Sequence, residues 1–155
     1  MNSRSFLASL IALLVLLCLS AARLSAAESS GLRVEAILVW ATHVAKTNDA
    51  SLKPLEAQLT KKLRSAYKWD LYYEVRRKEV TVSGKDPTPV QISEKCSLDI
   101  KHLGEHRVEV HLTGKGKAVS RSVESLAHGY LMVLGGDDKN DTAWLIVIRE
   151  LPAKR

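Results

Sequence analysis

The chain has 155 residues, 46% of them hydrophobic and 26% charged, with a formal net charge of +6 and two cysteines. That length suits one domain around one core, and two cysteines are too few to staple a small disulfide-rich fold. The positive charge is mild enough to serve solubility alone, although it also favours anionic surfaces.

The chain opens with Met1-Asn2-Ser3-Arg4, continues as an apolar run from Phe6 to Leu19, and reaches small residues at Ser20-Ala21-Ala22 and Ser25-Ala26-Ala27. A basic start, an apolar middle and small residues at a cut site make the pattern of a secretory signal peptide. Ser25 and Ala27 supply the small side chains that cleavage needs. The expectation is therefore a signal peptide over residues 1–27, cleavage before Glu28, and one β-rich domain over residues 28–155, exported to the periplasm or the medium. An uncleaved anchor is one rival, but the apolar run is shorter than the ~20 residues of a spanning helix. A lipidated Cys18 is another, opposed by the large Leu17 before it. A membrane contact is expected only through this segment, if it stays uncleaved. Arg4 and Arg23 lie in it with no acid, so the remainder carries +4 and keeps Cys96 as its one cysteine. Cys96 reads as a small buried hydrophobe at the mouth of an apolar strand.

Leu32 to Thr42 alternates at first and turns apolar on both faces from Ile37 to Trp40, as a strand does when it runs from a sheet margin into a covered interior. Pro54 to Tyr67 reads as the one helix: Pro54 suits the first helical position, and Leu55, Leu59, Leu63 and Tyr67 form an apolar stripe. Trp69, Leu71, Tyr73 and Val75 then share one parity, whereas Val80 and Val82 take the other. A bulge or turn within Arg76–Glu79 would reconcile them. Pro87 to Pro89 suggests an edge.

Leu98 to Leu112 predicts a hairpin across Gly104-Glu105-His106, with Leu103 opposite Arg107. That register sets Ile100 against Val110, Leu98 against Leu112, Lys101 against Glu109 and Asp99 against His111. Val119 to Leu126 reads as an edge strand. Tyr130 to Leu134 and Ala143 to Ile148 read as strands covered on both faces, joined by the loop Gly135–Thr142. The fold class is α+β, mainly β: an antiparallel sheet, sandwich or partly open barrel of six to eight strands, with one helix after the first strand.

Two sets of residues invite a site. Tyr72, Arg76, Arg77 and Lys78 interleave aromatic and basic side chains, the combination used by single-stranded nucleic-acid platforms. Export removes nucleic acid as the partner, leaving an envelope protein or an anionic envelope polymer. Asp137, Asp138, Asn140 and Asp141 offer oxygen ligands for calcium, although the spacing is not that of an EF-hand and ordinary turn chemistry explains the same residues. No other cofactor is indicated. His102, His106 and His111 do not suit zinc, because the hairpin register points His102 and His111 to opposite faces. No nucleophile elbow, P-loop or zinc-protease motif is present.

Val133-Leu134-Gly135-Gly136 after Gly129-Tyr130, the strand ending Leu145-Ile146-Val147-Ile148 and the helical Leu55, Leu59 and Leu63 resemble uncharacterised exported bacterial β-rich proteins. The resemblance implies secretion and a β-rich fold, and no activity. The functional expectation is a non-enzymatic binding or assembly module of the envelope. A calcium-binding protein using residues 137–141, or a small enzyme with a dispersed active site, is the alternative.

Overall fold

The computed structural model describes residues 31–45 and 49–153. The expected signal peptide, Cys18 and the cleavage point before Glu28 lie outside the described residues. Within them the chain forms β1 (Leu32–Thr42), β2 (Lys53–Pro54), α1 (Ala57–Ala66), β3 (Leu71–Val82), β4 (Thr88–Ser93), β5 (Cys96–Gly104), β6 (Arg107–Gly114), β7 (Lys117–Ser125), a 3-10 turn (Ala127–Gly129), β8 (Met132–Asp138) and β9 (Thr142–Glu150). The strands make two antiparallel sheets, one in the order β2-β3-β1-β9-β8 and the other β4-β5-β6-β7. The mainly β, α+β sandwich expected from the sequence is the fold observed.

The five-stranded sheet is covered on both faces. Leu32, Val34, Ala36 and Leu38 of β1 join Ile146 and Ile148 of β9 and face Ile92, Leu98, Ile100, Val108 and Val110 of the other sheet. The alternate residues Ile37, Val39 and Ala41, with Leu145 and Val147, pack against Leu55, Leu59 and Leu63. The loss of alternation along β1 thus has a cause: the helix begins to cover its second face at Ile37. No helix among the described residues is long and apolar enough to cross a membrane.

Four expectations shift. The helix starts at Ala57, because Pro54 is held in β2 opposite Tyr73. The irregularity in β3 falls at Val75: Leu38 pairs with Arg76 while Val39 pairs with Glu74. The β5–β6 register is as expected for Leu98, Asp99, Ile100 and Lys101, but Gly104 pairs with Arg107 and Leu103 is bulged outward. The last hairpin continues through Gly135 to Asp138 before it turns, so its loop is shorter than the composition suggests. Gly135 makes that continuation possible. A Cβ there would stand 2.1 Å from the Trp144 carbonyl oxygen, so only glycine allows the two strands to approach so closely. Cys96 is a free thiol at the edge of the inter-sheet core, and burial raises its pKa.

Candidate aromatic and basic binding face

On the sheet face that looks toward the sandwich, the inter-sheet core takes β1 as far as Leu38 and leaves out Trp40. Trp40 pairs with Tyr73 on one side and Trp144 on the other. Directly paired residues share a face, and neighbouring strands lie about 4.8 Å apart, so the three aromatic positions form a row roughly 10 Å long. The rings of Trp40 and Tyr73 stack at 5.8 Å with 29° between their planes. Trp40 is buried, Tyr73 is half-buried and Trp144 is 41% exposed.

Two features prepare the Trp144 end of this row. Its indole Nε1 donates a 2.9 Å hydrogen bond to the Asp138 carboxylate, which restricts the ring's rotation. Its partner on β8 is Gly136, with open space where a Cβ would stand. Beside the row on the same face are Arg76, opposite Leu38, and Lys78, opposite Ala36. Both are exposed, and among the described residues neither makes an ion pair. Aromatic faces set in a line and flanked by unneutralised cations can stack on flat groups while attracting negative charge.

The four residues singled out in the sequence do not form one patch. The irregularity at Val75 reverses the parity of β3, so Arg76 and Lys78 share the aromatic row's face while Tyr72 and Arg77 turn to the helix side. Tyr72 is buried beneath the helix, whereas Tyr73, expected in the core, is the more exposed ring.

Arg77 belongs to a charge cluster at the start of the helix. Glu35, 2% exposed in the centre of the sheet, accepts from Arg77 Nη1 at 2.7 Å and from Arg149 Nε at 2.6 Å. Arg149 clasps Glu56 through both Nη atoms at 2.6 and 3.0 Å, and Arg77 clasps Glu74 at 3.1 and 2.6 Å. The hydrogen bonds from Arg149 and Arg77 hold the Glu56 and Glu74 carboxyls below their usual range. The same contacts, led by those with Glu74 and Glu56, raise the pKa values of Arg77 and Arg149. Glu56 follows Leu55 and precedes the helix, but its side chain caps no helical N–H. It ties the helix to the sheet instead.

The acidic residues near 137–141 also disperse. Asp137 and Asp138 sit in β8, and Asp138 is taken by Trp144. Asn140 and Asp141 form the turn with φ of 62° and 55°, the left-handed conformation these residues tolerate best. Asp141 accepts Lys68 Nζ at 2.6 Å, which holds its carboxyl below the usual range, and lies 3.5 Å from His43 Nε2. His43 Nδ1 is 2.6 Å from Asp70. His102, His106 and His111 engage the Glu105 carbonyl, Glu150 and Glu109 separately. Among the described residues no three His, Cys, Asp or Glu side chains are grouped to hold a metal ion.

Sequence reading missed Trp40 and Trp144 as a pair because they lie about a hundred positions apart within apolar runs. Only the β1–β9 register joins them. No family model, curated protein or solved structure matches the chain.

Proposed function

We propose that the protein is exported and acts as a non-enzymatic binding module for an anionic polysaccharide of the cell envelope, held along the Tyr73–Trp40–Trp144 row with Arg76 and Lys78 beside it. The observation that carries this reading is the in-register aromatic row, exposed at Trp144, meeting two exposed cations that make no ion pair among the described residues. Sugar rings present flat C–H faces that stack on aromatic rings, and carboxylates or phosphates along a chain would reach the cations. The row's length suits two adjacent sugar units, so affinity would come from repetition along a polymer. Single-stranded nucleic acid offers a similar mixture of stacking and charge, but the signal-like segment at residues 1–27 favours a partner outside the cytoplasm.

Native affinity electrophoresis tests the proposal, with the protein run through gels containing a polyuronate, a neutral glucan or no polymer. Retardation by the polyuronate alone is expected, lost in Trp144→Ala and reduced severalfold in Arg76→Ala/Lys78→Ala. Equal retardation by the neutral glucan would remove the role of the cations. Tighter binding to a single-stranded oligonucleotide, or no retardation at all, would overturn the assignment.

A further inference from the structure

Beside the helix, a cavity of about 480 Å³ opens between α1 and the β2–β3 edge, with Tyr73 of the aromatic row on its border. Its apolar wall includes Leu55 and Leu71, its inner wall includes Tyr72, and Lys61, Arg64 and Asp70 stand at its exposed rim. That volume lies within the range of small-molecule sites, which combine an apolar lining with a few polar groups.

Tyr72 is 4% exposed, and its hydroxyl is shielded from solvent without a hydrogen-bond partner. A buried hydroxyl left unpaired is costly, and such groups in folded proteins are uncommon. Burial pushes the phenol's pKa upward, so the group stays protonated and has a hydrogen to give. Next to it, Arg64 donates from Nε at 2.8 Å, and from Nη2, to the backbone carbonyl of Asp70. It makes no ion pair within the described residues. Lys61, one turn earlier on the helix, also has none. Thr60 is not available, because its hydroxyl donates to the Leu55 carbonyl.

We infer that this cavity binds a small organic monocarboxylate, its carboxylate received by Arg64 and the Tyr72 hydroxyl and its apolar body lying against Leu55 and Leu71. The charge count at the rim favours a monoanion: Lys61 and Arg64 exceed Asp70 by one positive charge. A phosphate dianion fits this balance less well. Entry requires Arg64 to leave the Asp70 carbonyl. The exchange replaces a neutral acceptor with an ionised one that the guanidinium fork can meet bidentately, which adds both energy and geometric specificity. The Tyr72 hydroxyl is shielded from solvent, so binding must also open a path to it. Tyr73 borders both this cavity and the aromatic row, but Arg64 and Tyr72 do not belong to the row, so the inference does not depend on the polymer reading.

Titration of the purified full chain with benzoate, followed by calorimetry and by ligand-observed NMR, tests the inference, with inorganic phosphate as the control. Saturable benzoate binding in the millimolar range or tighter is expected, with phosphate at least tenfold weaker. Tyr72→Phe keeps the ring and removes the hydroxyl, so it should weaken benzoate about tenfold while leaving the unfolding midpoint equal or higher. Arg64→Gln, on the exposed helix face, should abolish binding without unfolding the protein. Trp144→Ala should leave it unchanged. Benzoate binding that is absent, that is equal in Tyr72→Phe and wild type, or that phosphate matches would each overturn the assignment. A raised midpoint in Tyr72→Phe without benzoate binding by the wild type would make the hydroxyl a structural cost and nothing more.

Discussion

The two sheets are built from the same kinds of residue but solve different problems. The β4-β5-β6-β7 sheet buries one face. Leu98, Ile100, Val108 and Val110 point inward, while Asp99, Lys101, Glu109 and His111 alternate with them outward. The β2-β3-β1-β9-β8 sheet is covered by the other sheet on one side and by α1 on the other. Its central strand is buried at almost every residue. One consequence concerns charge. Asp99, on the outer face of the smaller sheet, meets solvent, whereas Glu35 at the heart of the larger one has each carboxylate oxygen bound by an arginine. The smaller sheet can therefore lose an exposed charged side chain such as Asp99 at little cost, and the larger one cannot lose Glu35.

The largest expected effect breaks that contrast at Glu35. Glu35→Ala leaves Arg77 and Arg149 with an unfilled position between them in a nearly solvent-free place. Removing one partner of a buried ionic network costs about 3–5 kcal/mol. Because Glu74 and Glu56 still hold the two arginines, a value near 3 kcal/mol is expected in urea unfolding. A loss below about 1 kcal/mol would mean that the network behaves like a surface one.

A smaller effect comes from two glycines, one in a strand of the larger sheet and one in a turn of the smaller. Gly135→Ala puts a methyl group into the Trp144 backbone at 2.1 Å, where neither strand can move without breaking β8–β9 pairing. A cost of about 2–3 kcal/mol is expected from such overpacking. Gly116, in the turn between β6 and β7, has φ of 75° but nothing within 4 Å of a Cβ. Gly116→Ala then costs only the left-handed backbone, about 1 kcal/mol. Equal losses in the two variants, measured by thermal unfolding, would show that backbone conformation and not strand approach governs Gly135.

The same difference explains what could be read in the sequence. The one-sided sheet alternates, so pairing Leu98 with Leu112 and Ile100 with Val110 also matched Lys101 to Glu109 on the outer face, and that register is the observed one. In the two-sided sheet, Ile37 to Trp40 and Leu145 to Ile148 carry no polar residue to mark a face. The single residue inserted at Val75 then reverses the parity of everything before it. The expected Tyr72–Lys78 patch divides between two faces for that reason, whereas Tyr72 and Tyr73 exchange roles because the inter-sheet core stops at Leu38 while the helix covers the opposite face there. Hydrophobic periodicity sees local order. It cannot see that Trp40 and Trp144 stand side by side, nor that Glu35, Glu56, Glu74, Arg77 and Arg149 converge from four elements.

Acid provides a test of intermediate size. The Glu56 and Glu74 carboxyls are held below their ordinary values in the folded chain, chiefly by hydrogen bonds from Arg149 and Arg77. In the unfolded chain they return to the ordinary range. Their contribution is therefore complete above that range and is lost as pH falls through it toward the depressed folded values. The unfolding midpoint should hold steady near neutrality and decline below about pH 4.5. Arg149→Gln, less stable at every pH, should show a shallower decline because Glu56 has lost its main partner. An acid slope unchanged in that variant would assign the loss to other carboxylates.

The smallest effect is expected on the outer face of the β4-β5-β6-β7 sheet, and it sharpens the contrast most. Arg121 clasps Glu109 at 2.9 and 3.1 Å, a geometry as good as that of Arg149 on Glu56. Hydrogen bonding from Arg121, reinforced by His111, also holds the Glu109 carboxyl below its usual range. Geometry alone would rank the two pairs together. The arginines separate them: the Arg121 side chain is 66% exposed against 23% for Arg149, although Glu109, at 13%, is more buried than Glu56, at 38%. Water competes for the same hydrogen bonds and screens the charges, while ordering two long side chains offsets much of the remaining gain. Arg121→Ala should leave the unfolding midpoint unchanged within error, and added salt should not alter that result. A clear destabilisation, especially one removed by salt, would show that alternation across a one-sided sheet carries electrostatic weight. The contrast drawn from burial between the two sheets would then fail.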